Sequence, residues 1–214
     1  MSPATSRMVL PALYAILDPE QMQGQPPETV LLELLQGGAT IVQLRAKIMP
    51  PRDMLELGRK AREITRRYDC RLIVNDRIDI AIACDADGAH LGQEDLPLPA
   101  ARKIMPDRII GISTHDLAQA REAESAGADY IGFGPMFGTN TKQTGYSARG
   151  LDGLREIRAA VKLPIVAIGG INENNVAQVW QTGADAAAII SDILHAENVA
   201  AKVRQILSAA PVHR

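Results

Sequence analysis

The sequence predicts a single parallel (β/α)₈ TIM barrel, and three observations predict it. Short apolar runs alternate with longer amphipathic stretches from one end of the chain to the other, as in parallel βα architectures. Runs such as Leu72-Ile73-Val74 and Ile165-Val166-Ala167-Ile168 are apolar without alternation, as strands covered on both faces are. Four strands are introduced by related triplets, Gly38-Ala39-Thr40, Asp85-Ala86-Asp87, Gly127-Ala128-Asp129 and Gly183-Ala184-Asp185, at intervals of 47, 42 and 56 residues. Eight units in a chain of this length take about 27 residues each, so each interval roughly spans two of them. The Gly or Asp that opens a triplet suits a left-handed turn ending a helix, and the small Ala lets the chain re-enter the sheet. A doubly wound open sheet is the alternative this pattern leaves.

The strands fall in order near 13–17, 40–45, 71–75, 88–91, 108–112, 130–134, 164–168 and 186–191. Between the second and third, Met54, Leu57, Ala61, Ile64 and Tyr68 recur at helical spacing, with Glu56, Lys60, Arg62 and Glu63 on the other face. Pro50 and Pro51 mark the start of that helix, and the stretch Gly150–Gly153 marks another around 154–161. No linker-like segment divides the chain, so residues 1–214 read as one domain, with 1–9 expected as a loosely ordered N-terminal segment.

Composition excludes several classes. With 214 residues, 46% hydrophobic and 22% charged, the chain can bury a sizeable core and is not of disordered type. It carries 23 basic against 25 acidic residues, which argues against a general nucleic-acid binder. Aromatics at 3% leave no stacking surface and predict an aliphatic core. No apolar run approaches the roughly 18 residues of a membrane helix. Arg7 precedes a short apolar run, but Asp18, Pro19 and Glu20 cut it short, so no signal peptide is expected. Cys70 and Cys84 lie in apolar stretches and cannot make a disulfide framework or a four-ligand zinc site. Both are expected in the core, and the chain in the cytoplasm.

In a barrel of this kind, function sits where strands end on their C-terminal side, so the polar residues there need explaining. Gln43 and Arg45 share a strand face, with Lys47 following. An inward Arg needs an anion, either a ligand or a salt-bridged acidic residue. Asp76 and Asp95 come from the ends of the third and fourth strands, beside Asn75. Two hard carboxylates with room for water and phosphate suit Mg²⁺. A general acid/base pair and helix capping are the other uses. His90 reads as a hydrogen-bonded core residue before a catalyst, and Ser113 or Thr114 could cap the helix that follows. A long polar loop, Gly132–Gly145, carries glycines, hydroxyls and Lys142 and reads as a lid or clamp. Gly169-Gly170 and Ile190-Ser191 end the last two strands, where barrels commonly hold a phosphate. Two separate anions are implied.

Taken together, the chain resembles thiamin-phosphate synthases, also called thiamin-phosphate pyrophosphorylases, from about Tyr14 to Ile193. The likeness is carried by QLRAK (Gln43–Lys47), ND (Asn75-Asp76), HLGQED (His90–Asp95), GIS (Gly111–Ser113), TNTK (Thr139–Lys142), AIGGI (Ala167–Ile171) and IIS (Ile189–Ser191). The resemblance implies that Gln43, Arg45, Lys47, Asn75, Ser113 and Lys142 hold an aminopyrimidine diphosphate. It places Mg²⁺ on Asp76 and Asp95. It gives Thr139, Thr141, Gly170, Ile190 and Ser191 to a thiazole phosphate. Arg45, Lys47, Ser113 and Lys142 would act in the chemistry, which joins the two substrates into thiamin phosphate and pyrophosphate. A homodimeric cytoplasmic enzyme follows by the same resemblance, and charge balance and run length add that neither nucleic acid nor membrane is expected as a partner. Gly138 stands where many relatives have proline, and Ala46 where an acidic residue is common, at a position expected to point away from the mouth. A thiazole tautomerase-like barrel and a non-catalytic thiamin-phosphate-binding regulator are the competing readings. The first would need the Gly170 and Ser191 cradle but not Asp76, Asp95 and Lys142 together.

Overall fold

The computed structural model describes residues 8–138 and 147–211. Eight strands, β1 Leu13–Leu17, β2 Ile41–Leu44, β3 Arg71–Asn75, β4 Gly88–Leu91, β5 Ile109–Thr114, β6 Tyr130–Phe133, β7 Ile165–Ile168 and β8 Ala186–Ile189, close a barrel in chain order. Every neighbouring pair is parallel, and β1 pairs with β8 through Tyr14 opposite Ala188. The closed barrel therefore holds and the open sheet does not. Its helices are α1 Pro27–Gln36, α2 Pro51–Arg67, α3 Ile78–Ala83, α4 Leu98–Ile104, α5 Leu117–Ser125, α6 Gly150–Ala160, α7 Val176–Gln181, α8 Ser191–Leu194 and α9 Val199–Ser208. A 3₁₀ turn, Pro19–Gln21, follows β1.

Strand parity divides the core in two. Tyr14, Ile16, Ile41, Ile73, Tyr130, Val166, Ala186 and Ala188 fill the barrel interior. Their chain neighbours, among them Leu13, Val42, Leu72, Val74, Ile131 and Ala187, pack outward under the helices, as alternation along a strand requires. The helix read from Met54 onward buries Met54, Leu57, Ala61 and Thr65. Tyr68 falls just beyond it and is exposed rather than part of that face. Ala46 packs in the outer core, away from the mouth. Cys70 and Cys84 are both buried, and burial pushes the Cys70 thiol up to about 12, far from a reactive thiolate.

The recurring triplets prove to be clamps at the bottom of the barrel. Their first residues, Gly38, Asp85, Gly127 and Gly183, all have positive φ, so each helix exit turns left-handed as expected. In three of them the third residue does more. Asp87 donates its backbone N–H to Leu72 O at 2.8 Å, and its Oδ2 accepts the N–H of the same Leu72 at 2.7 Å. Asp129 closes the same two bonds on Ile110 at 2.9 and 2.7 Å. Asp185 closes them on Ile165, at 2.9 and 2.8 Å. Each carboxylate also takes an arginine from the helix before the strand it grips: Arg62, Arg102 and Arg158. One side chain thereby fixes a turn, a strand and a helix. Asp129→Ala leaves the Ile110 N–H and Arg102 without this acceptor, a loss of about 1–3 kcal/mol. At about 2–4 °C per kcal/mol for a chain of this size, a thermal melt should show the drop. The opposite end of the barrel, where the strands have their C-terminal ends, should be undisturbed.

Candidate active site

The C-terminal ends of the strands meet around one cavity. Gln43 and Arg45 reach it from β2 and its exit, Asn75 from β3, His90 from β4 and Ser113 from β5. Gly170, Ile190 and Ser191 line it from the exits of β7 and β8, and Tyr14 and Tyr130 form part of its floor. Lys47, Asp76 and Asp95 stand at the rim beside it, outside its wall. Thr139, Thr141 and Lys142 lie outside the described residues.

Arg45 meets its anion within the chain. Its guanidinium pairs with Asp18, a fully buried carboxylate at the exit of β1 that also accepts the Glu20 N–H at 3.0 Å. Burial holds the Asp18 carboxyl above the usual carboxylate range, and Arg45 offsets only part of that rise. The salt-bridge reading of Arg45 therefore holds, yet Arg45 lines the cavity as well. Asp18 anchors Arg45, and the sequence marked it only as the end of an apolar run.

At the rim, Lys47 Nζ lies 2.5 Å from Asp76 Oδ2. Asp76 has φ +62°, a left-handed conformation that Asp tolerates better than most residues. Asp95 Oδ2 accepts the Gly92 N–H at 2.6 Å. Burial, then Asp76 beside it, holds the Asp95 carboxyl above the usual carboxylate range. Neither Asp caps a helix: Arg77 and Pro97 occupy the N-cap positions of α3 and α4, without side-chain caps. Two crowded carboxylates are a donor set that a hard divalent cation would relieve. No group of three or more His, Cys, Asp or Glu able to hold a metal occurs among the described residues. These two would be the protein's share of such a site.

The capping expectation for Ser113 and Thr114 is overturned. β5 runs through Thr114, and Asp116 caps α5 by accepting the Gln119 N–H at 2.9 Å. Thr114 Oγ1 instead donates to Gly132 O at 3.0 Å, and Ser113 Oγ lies 2.9 Å from His90 Nε2. His90 is thus hydrogen-bonded as expected, and its Nδ1 lies 3.0 Å from Tyr130 OH.

The opposite wall is built from backbone. Gly169 and Gly170 have φ +101° and +66°, and a Cβ on Gly170 would sit 2.6 Å from Gly138 O. Asn175 Nδ2 steadies this turn through Gly170 O at 3.0 Å, and Phe137 N–H donates to Gly169 O at 2.9 Å. β8 stops at Ile189, so Ile190 and Ser191 open α8 rather than end the strand. Across the mouth, the two stems of the long loop are tied together: Arg149 and Gly150 donate to Pro135 O and Met136 O at 2.8 and 2.9 Å.

The thiamine monophosphate synthase (TMP-TENI) family model matches residues 13–193. A thiamine-phosphate synthase of Moorella thermoacetica is 49% identical over 195 residues, 91% of this chain and 93% of that protein. One of Chloroflexus aurantiacus is 44% identical, over 94% of this chain and 93% of that protein. The solved structure of a thiamine phosphate pyrophosphorylase from Pyrococcus furiosus matches with a TM-score of 0.86 at 43% identity, covering 92% of this chain and 94% of that one. The chain belongs to the thiamine monophosphate synthase family.

Proposed function

We propose that this cavity joins two phosphorylated heterocycles: a 4-aminopyrimidine diphosphate bound between Gln43, Arg45, Asn75 and Ser113, and a thiazole phosphate seated against Gly170 and Ser191. The activity is that of a thiamine-phosphate synthase, a transferase. The observation that carries the residue roles is that one cavity has cationic and polar side chains on one wall and a glycine turn on the other.

In the reaction, the bond between the pyrimidine methylene carbon and the diphosphate oxygen breaks, and its electron pair leaves with pyrophosphate. The amino group's lone pair delocalises the cation left behind, and the thiazole nitrogen then supplies the electrons of the new C–N bond. Arg45, held in place by Asp18, and Lys47 bind the diphosphate and stabilise its growing charge. Lys142 joins them by family resemblance, and Thr139 and Thr141 join the thiazole phosphate site on the same ground. Asp76 and Asp95 would hold Mg²⁺, which when bound neutralises phosphate charge. The chain's remaining work is to align the two rings and exclude water, which would otherwise capture the cation. No protein nucleophile enters.

The same reading takes the whole chain as one domain, a second copy as its partner and the cytoplasm as its place. Among the described residues no helix is long and apolar enough to cross a membrane. Mixing the two substrates with Mg²⁺ should release pyrophosphate in step with thiamin phosphate; release of neither would end the reading. Ser191→Ala should raise the KM for thiazole phosphate roughly tenfold while leaving that for the pyrimidine diphosphate nearly unchanged, the scale of one lost hydrogen bond to a charged group.

A further inference from the structure

Gln43 and Ser113 stand on β2 and β5, and a continuous run of hydrogen bonds joins them beneath the cavity. Gln43 Nε2 donates to Tyr14 OH at 3.1 Å, and the hydroxyls of Tyr14 and Tyr130 lie 2.6 Å apart. Tyr130 OH is 3.0 Å from His90 Nδ1, and His90 Nε2 is 2.9 Å from Ser113 Oγ. Both tyrosines are fully buried, and burial raises both phenol pKa values, so both keep their protons.

Proton counting gives this run a direction. A phenol has one proton to donate. With the Gln43 amide donating to Tyr14, and its nitrogen unable to accept, Tyr130 OH is the acceptor the run leaves for the Tyr14 proton, and His90 Nδ1 the one it leaves for the Tyr130 proton. A neutral His90 then carries its proton on Nε2 and gives it to Ser113 Oγ. The Ser113 hydroxyl proton is left to point onward, toward the cavity that Ser113 lines. At the other end, one of the two Gln43 Nε2 hydrogens is given to Tyr14, while Oε1 has no hydrogen-bond partner among the described residues. The cavity is left with an acceptor at Gln43 and a donor at Ser113.

We infer that Tyr14, Tyr130 and His90 are positioning residues whose hydrogen-bond run fixes Gln43 as acceptor and Ser113 as donor, so that the site selects an aminopyrimidine over its oxo counterpart. An amino group donates to Gln43 and an unprotonated ring nitrogen accepts from Ser113. A ring with a carbonyl and a ring N–H in those places sets acceptor against acceptor and donor against donor. This inference rests on the proposed binding of the aminopyrimidine between Gln43 and Ser113.

Two measurements on the full chain test it. In ¹⁵N-histidine-labelled protein, with His90 assigned by the loss of its signals in His90→Asn, the ring should be the Nε2–H tautomer. An Nδ1–H tautomer reverses the run and overturns the inference. In the second, dissociation constants are measured for the 4-amino and 4-oxo pyrimidinylmethyl monophosphates, which lack the diphosphate leaving group. The native chain should prefer the amino compound, and Tyr14→Phe and Tyr130→Phe should each cut that preference by roughly tenfold or more. Thiazole phosphate affinity should stay within about twofold. A merely structural role would weaken both monophosphates alike, and an unchanged preference ratio would overturn the inference. Failure of the underlying function would show separately, as a native chain that releases no pyrophosphate from its two substrates.

Discussion

Asp76→Ala should lower kcat by at least about 10²-fold, the scale of losing one group that stabilises transition-state charge. The substitution removes half of the carboxylate pair and leaves Lys47 without the oxygen now 2.5 Å from its Nζ. Because Asp76 sits at φ +62°, alanine also strains the backbone. Asp76→Asn separates the two effects, since asparagine tolerates the left-handed region but brings no charge. Both variants should fail alike in steady-state assays over a range of Mg²⁺ concentrations. Full turnover in Asp76→Asn with the metal carefully controlled would remove the carboxylate from the chemistry. Chelation of the native enzyme should abolish activity, and added Mg²⁺ should restore it.

The second large effect is on stability. In Gly111→Ala the new Cβ would stand 2.1 Å from Tyr130 Cζ and 2.5 Å from both flanking ring carbons. Tyr130 is held in place by its bonds to Tyr14 and His90, so the ring has little freedom to yield. Overpacking of this kind costs about 1–3 kcal/mol and sometimes more, which at about 2–4 °C per kcal/mol gives a fall of several degrees in Tm. The hydrogen-bond run should be broken at the same time. Adding Tyr130→Leu should cost less in the Gly111→Ala background than in the native chain, a coupling that a double-mutant cycle measures. A Tm within a degree of native for Gly111→Ala would show that the floor is not packed as described.

Much of the fold could be read in advance because parallel strands and their helices announce themselves locally, through unbroken apolar runs and helical spacing. The site is legible where strand parity suffices: Gln43 and Arg45 share a face and both reach the cavity. What the sequence leaves hidden depends on partners far along the chain. Asp18 finds Arg45 from the neighbouring strand exit, and nothing beside Asp18 in the sequence points there. Ser113 and Thr114 looked like helix caps because both are small hydroxyl residues ahead of a helix. Their bonds go instead to His90 and to Gly132 O. Gly111 opposite Tyr130 in the β5–β6 register was the available sign that a large ring crosses the barrel there, since a glycine inside a strand marks a close approach. The repeated triplets were visible as spelling; the clamp was not, because each carboxylate grips a backbone N–H on the preceding strand.

Those gripping carboxylates divide labour along the barrel axis. Asp87, Asp129 and Asp185 secure the lower rim in near-identical fashion, while the upper rim presents a different residue on nearly every strand. Foundations built from one repeated clamp tolerate rewriting of the far rim, since altering a substrate contact there disturbs none of the knots below. A barrel so organised is open to a change of reaction without a change of architecture.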